Sequence, residues 1–261
     1  MSTAFPPGFN TSRITNKGGF FIVLLIAPIL FGQAPAQAPL DVHVTSATPY
    51  LGKSTVTLQE LRHAVPKKAQ KEMDKAENAR SHERRHEAID HLNRAISIDP
   101  EFVAARNNLA VIYLTSGDGK SAVAQLEEAA KVDPHNPTLF TNLTLGYTAI
   151  HNFDAAERAA RTRLALDGTS TKAHLFLGLV LLEQRKFTDE ALRCFERARD
   201  EHPLAHLLAG RLFMAQGDSR KARSELKTYL SIGAEDGNRA LALHWLEVID
   251  EGEQKSVTAP Y

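Results

Sequence analysis

Two neighbouring stretches decide the fold: VAARNNLAVIYLTSGDGKSAVAQLEEAAKVDPHN, residues 103–136, and PTLFTNLTLGYTAIHNFDAAERAARTRLALDGTS, residues 137–170. Each is 34 residues long, and they align without a gap. Leu109 falls on Leu143, Tyr113 on Tyr147, Ala122 on Ala156 and Pro134 on Gly168. The same phase runs backwards to Ala88 and Pro100, and forwards to Leu177 and Gly178. In FTDEALRCFERARDEHP one inserted residue moves Ala191, Phe195 and Ala198 late. A further unit, LAHLLAGRLFMAQGDSRKARSELKTYL, carries Gly210, Phe213 and Ala222 in phase. A period of this length marks a stacked array of supersecondary units.

Within each block apolar residues recur at helical spacing, as in Leu109, Ile112 and Tyr113, then Ala122, Leu126 and Ala129. Small residues at 110, 122, 129 and 156 let helices approach closely. Gly117-Asp118 and Gly217-Asp218 interrupt the helix between the halves of a unit. Pro100, Pro134 and Pro203 stop each second helix from continuing. One helix pair cannot bury its apolar face alone, so neighbours stack. The expected fold is all-α, an α-solenoid of about five antiparallel helix pairs with capping helices over residues 57–251. The stretch TLQELRHA carries a capping-box pattern, Thr57 with Glu60, and Pro66 suits the first turn of the first repeat helix. At the other end NRALALHWLEVID places Leu241, Trp245, Leu246 and Ile249 on one face, as a C-terminal cap would. Residues 252–261 read as a frayed tail.

These blocks resemble the tetratricopeptide repeat family over residues 69–232. The resemblance rests on Leu109-Ala110, Tyr113, Gly117-Asp118, Ala122, Leu126, Ala129 and Asp133-Pro134 of the best-fitting unit. The first unit departs with Lys75-Ala76 and Ala79 where Leu-Gly and Tyr are usual. The third departs with Arg163 at a position expected to be small.

Composition excludes several classes. Lys plus Arg and Asp plus Glu number 31 each, so the chain has no net charge to favour nucleic acid as a partner. The single cysteine, Cys194, rules out an intramolecular disulfide. It falls among Leu192, Phe195 and Ala198 and reads as a small core residue. Arg13 and Lys17 precede an apolar run from Phe20 to Phe31, followed by Ala34-Pro35-Ala36. That order describes a secretory signal peptide over residues 1–36, cut before Gln37. The run is shorter than the ~20 residues that span a bilayer. The expected location is therefore the periplasm or outside the cell, without a stable membrane span, or else an uncleaved N-terminal anchor. Residues 37–56 read as a flexible linker.

One stretch points elsewhere. SHERRHEAID, residues 81–90, contains His-Glu-x-x-His, the spacing that on one helix gives two zinc ligands and a base. In repeat phase, however, His82 ends a first helix and His86 begins a second, with Glu83-Arg84-Arg85 aligned on Gly117-Asp118-Gly119. No metal, cofactor or catalytic residue is therefore expected, and a zinc peptidase using residues 82–86 is the competing reading. Lys67, Lys68, Lys71 and Lys75 interleave with Glu72, Asp74 and Glu77 and read as a solvated helix face.

What remains is binding to a protein or peptide partner. The family resemblance implies that the first helices line a concave groove. Its lining reads Asp74, Glu77 and Arg80, then Asn107, Asn108 and Val111, then Thr141, Asn142 and Leu145. Leu175, Phe176 and Leu179 follow, then Leu207, Leu208 and Arg211. Amides both donate and accept, so Asn108 and Asn142, expected side by side, suit the backbone of an extended peptide. Alternatively the asparagines are merely solvated and the apolar end packs under the C-terminal cap. The basic clamp with which some relatives hold a terminal carboxylate is unmatched, because Leu175 and Phe176 stand in its place. Self-association through the solenoid ends is a further expectation.

Overall fold

The computed structural model describes residues 22–25, 41–44, 63–232 and 238–258. Two short strands, β1 (Ile22–Leu25) and β2 (Asp41–Val44), pair antiparallel, Ile22 opposite Val44 and Leu25 opposite Asp41. β1 falls within the expected signal segment and β2 within the expected linker. The remainder of residues 1–62, including the capping box at Thr57, lies outside the described residues.

The helices are α1 (Lys67–Ser81), α2 (Arg85–Ile98), α3 (Val103–Thr115), α4 (Gly119–Val132), α5 (Pro137–Ala149) and α6 (Phe153–Leu166). They continue with α7 (Thr171–Glu183), α8 (Asp189–Ala198), α9 (Leu204–Ala215), α10 (Ser219–Ile232) and α11 (Arg239–Thr258). Consecutive helices pack as pairs, and each pair packs on the next. First helices also touch first helices, α3 with α5, α5 with α7 and α7 with α9. The result is the helical-repeat solenoid that the 34-residue period implies. Residues 63–66 are not helical, and Pro66 stands one position before α1 rather than within its first turn. At the other end α11 runs to Thr258, well into the expected tail.

One turn is repeated in all five pairs. Glu83, Gly117, His151, Arg185 and Gly217 all have positive φ, between 57° and 80°. After each, the next N–H donates five residues back: Arg84 to Ala79, Asp118 to Tyr113, Asn152 to Tyr147, Lys186 to Leu181 and Asp218 to Phe213, each at 2.9 Å. This is a Schellman ending, which needs one left-handed residue. The following residue then caps the second helix in three units. The side chains of Asp118, Asn152 and Asp218 accept from the N–H groups of Ser121, Ala155 and Lys221. The Gly-Asp pairs thus have separate duties: glycine supplies the left-handed turn and aspartate starts the next helix. The residue inserted in the fourth unit falls after this turn, in Lys186–Thr188, so Arg185 keeps the phase.

Glu83, His151 and Arg185 carry a side chain where the backbone favours none. Changing any of them to Gly should raise stability by about 0.5–1 kcal/mol, the relief of left-handed strain less the added chain entropy. Gly117→Ala and Gly217→Ala should lower it by about 1–2 kcal/mol. Nothing lies within 4 Å of a Cβ at either glycine, so the backbone alone sets that cost. Urea melts of the five variants check both signs.

The core is alanine-rich where helices come closest. Ala69, Ala76, Ala79, Ala88 and Ala95 fasten α1 to α2, each no more than 2% exposed, which replaces the missing Leu-Gly and Tyr of the first unit. In the fourth unit a Cβ on Gly178 would lie 2.6 Å from the Phe195 ring, so glycine is what permits that contact. Arg163, at a position expected to be small, is half-buried and donates from Nη2 to Asp167 at 3.1 Å. Cys194 is buried, and burial pushes its thiol up to about 11, so it stays protonated and unreactive at neutral pH.

Candidate partner-binding site

The HERRH stretch is divided between two helices. His82 is the C-cap of α1, Glu83 is left-handed at φ 59°, and Arg84 is the N-cap of α2. The histidines do not share a helix, so the i, i+4 geometry that would aim both at one ion is absent. Arg85 is already helical, one residue earlier than expected. Among the described residues no group of three His, Cys, Asp or Glu side chains is arranged to hold a metal.

The face formed by α1, α3, α5, α7 and α9 carries the expected lining. Its polar and apolar members behave differently. Asn107, Asn108, Thr141 and Asn142 are partly exposed. Val111, Leu145, Leu175, Phe176 and Leu179 are only 3–5% exposed. Phe176 joins a cluster that also holds Leu207 and, from α11, Ala242, Trp245 and Ile249. Leu175 and Leu179 pack in a cluster with Leu208 and Leu212. The apolar end of the lining is therefore core, and the accessible part of the face is polar. This removes Leu145, Leu175, Phe176 and Leu179 from the groups a partner can reach without displacing the helices above them.

The amides do not stack in the expected register. Asn142 Nδ2 donates to Asn107 Oδ1 at 2.8 Å, one position away from Asn108. Asn108 Nδ2 instead makes a long contact, 3.9 Å, with Met73 Sδ of the preceding unit. Both contacts join neighbouring first helices at a sequence separation of 35. Thr141 Oγ1 is turned to its own helix and donates to the Pro137 carbonyl at 3.1 Å. The remaining donor on Asn107 Nδ2 and the acceptor Asn142 Oδ1 have no partner among the described residues. Arg211 Nη1 donates to Glu183 Oε1 at 2.8 Å, with Glu183 only 5% exposed. Burial pulls the Arg211 guanidinium below its ordinary value, and the Glu183 charge offsets only part of that. Lys172, above the Phe176 ring at 5.9 Å, is lowered by burial and then by Arg163.

Models of the tetratricopeptide repeat match residues 79–143 and 177–238. The chain belongs to the tetratricopeptide-repeat family. This repeat protein is 29% identical over 91 residues to the E3 ubiquitin-protein ligase CHIP of Arabidopsis thaliana. That match spans 34% of this chain and 33% of CHIP, about a third of the relative's length. Among solved structures, MamA matches with a TM-score of 0.58 at 21% identity, over 63% of this chain and 91% of MamA. YrrB, described as a TPR protein with an unusual peptide-binding site, matches with a TM-score of 0.58 at 21% identity, over 73% of this chain and 98% of YrrB. At these identities the structures bear on the fold. The family is one of protein–protein interaction scaffolds.

Sequence reasoning missed the polar fastenings inside the units. Glu72 and His91, Arg106 and Gln125, and His206 and Glu225 are each 19 residues apart and each bonded, at 2.7, 2.9 and 2.7 Å. They occupy the same two positions of units one, two and five. In unit three the apolar Phe140 and Ala159 stand there, Ala159 buried in the core and Phe140 partly buried against it. The signal was available as a second spacing inside the 34-residue period.

Proposed function

We propose that this protein is an exported, non-catalytic scaffold that holds an extended segment of a protein partner along the face of its first helices. The carrying observation is the row of partly exposed amides at Asn107, Asn108 and Asn142, which retains a donor and an acceptor without a partner among the described residues. An extended backbone offers a carbonyl and an N–H to such a pair without regard to its side chains. The peptide-binding site named for YrrB supports the reading by analogy of fold. Export rests on the order of Arg13, Lys17, the Phe20–Phe31 run and Ala34-Pro35-Ala36. Among the described residues no helix is long and apolar enough to cross a membrane.

Asn108 is the clean probe, because among the described residues its side-chain amide makes no hydrogen bond but the long one to Met73. Asn108→Ala should weaken partner binding about two- to tenfold, the equivalent of one hydrogen bond worth 0.5–1.5 kcal/mol, and leave the melt unchanged. Asn142→Ala should weaken binding similarly but also lower stability, because it breaks the bond to Asn107. Crosslinking in intact cells, followed by capture from the envelope fraction and a melt of each variant, reads both effects. Wild-type capture by both variants would overturn the groove, and a chain recovered from the cytoplasm with Met1 intact would overturn export.

A further inference from the structure

We propose that the chain supplies the first occupant of its own amide face: the extended segment Asp41–Val44 lies along α5, and a protein partner gains that face by displacing it. The partner's part in this rests on the scaffold reading, whereas the self-contact stands without it. The carrying observation is the seat of β2. The helix against which β2 packs is α5, Pro137–Ala149. That helix belongs to the third unit, although β2 precedes the first unit in sequence.

The surroundings of α5 leave a strand one side to meet. From the second-helix layer α4 and α6 pack against it, and within its own layer α3 and α7 flank it. The side that remains is the open face of the first helices, where Thr141 and Asn142 are partly exposed. The connection is long enough to reach it. Residues 45–66 join β2 to α1 and span up to roughly 70 Å when extended. From α1 to α5 is two helix spacings of about 8–10 Å each.

The chemistry of the segment fits what the face offers. β2 pairs along one edge, with β1, so its other edge keeps N–H and C=O groups without a strand partner among the described residues. Asn107 Nδ2 and Asn142 Oδ1 are a donor and an acceptor of the kind such an edge takes up. On the export reading, cleavage before Gln37 removes β1 but keeps β2, just inside the new start of the chain. The self-ligand therefore survives processing, and its second edge is released as well. A segment on the same chain meets the face at an effective concentration of about a millimolar. The face then admits only partner segments that bind better than residues 41–44 do.

Two measurements on the full chain test this. With photoreactive benzoylphenylalanine in place of Val42, irradiation should give an intramolecular adduct within Pro137–Ala149, read by tandem mass spectrometry of the digest. The second uses a fluorescein-labelled synthetic peptide, PLDVHVTSAT, residues 39–48. Successive N–H groups of a strand point to opposite edges, so Val42→Pro with His43→Pro removes one donor toward each. The peptide should bind this double variant about three- to tenfold more tightly than it binds wild type, because the tethered competitor is weakened. The melt of the solenoid should not change. An adduct outside α5, an adduct between two copies, equal affinity of the peptide for both forms, or no binding to either would overturn the proposal. An α5 adduct with the affinity difference supports it even where Asn108→Ala captures the partner as wild type does, an outcome that overturns the amide reading alone.

Discussion

Leu109→Ala is expected to cost about 2–5 kcal/mol, the range for truncating a fully buried leucine in a core that cannot collapse onto the gap. Leu109 is 0% exposed and packs with Leu92, Phe102 and Ile112 in the cluster that joins units one and two. Its neighbours there include Ala79, Ala88, Ala95 and Ala105, whose single methyl groups have no rotamers with which to refill the space. The loss should be local in origin. Stability in a stacked array is a sum of units and of interfaces between neighbours. The variant should therefore unfold through α1–α4 at lower denaturant while α7–α10 persist, seen as a broadened or split transition. Asn108→Ala, one residue away but on the polar face, is the control and should melt as wild type does. A Leu109→Ala variant within about 1 kcal/mol of wild type would mean that the first two units do not share a closed core.

The legible part of this fold was the part set by local backbone demands. The 34-residue period, the Gly-Asp turns and the prolines after the second helices each impose a conformation wherever they occur, so Leu109, Leu143 and Leu177 could be placed in register before any contact was known. The division of HERRH followed for the same reason: Glu83 stands where Gly117 and Gly217 stand, and the left-handed turn overrides the i, i+4 spacing. The site was less legible because first-helix positions serve two purposes. Asn108 and Phe176 occupy the same place in a unit, yet one is reachable and the other is covered, and the difference lies in neighbours distant in sequence. Trp245 and Ile249 of α11 belong to the cluster that holds Phe176, and no period within the repeat predicts that. The histidine fastenings were hidden by a different cause. A histidine in a helix reads as surface unless its partner 19 residues away is recognised, and that spacing is smaller than the period being sought.

Glu183→Ala is expected to cost about 2–3 kcal/mol, more than the carboxylate itself contributes. Removing one partner of a buried ion pair costs 3–5 kcal/mol because the other charge is left unpaired. Glu183 is 5% exposed, but Arg211 keeps 25% of its side chain open to water, which places the effect below that range. The companion Glu183→Leu with Arg211→Leu should lie within about 1 kcal/mol of wild type, because two apolar groups leave no charge to desolvate. Chemical denaturation of the single and double variants closes the cycle. A single variant costing under about 0.5 kcal/mol would show a pair screened by solvent, as surface pairs are. If the double variant is as stable as predicted, the wild-type charges are not there for stability. Arg211 stands on the first-helix face that carries the amides, so its charge is then free to serve recognition, and the double variant should lose partner capture while keeping its fold.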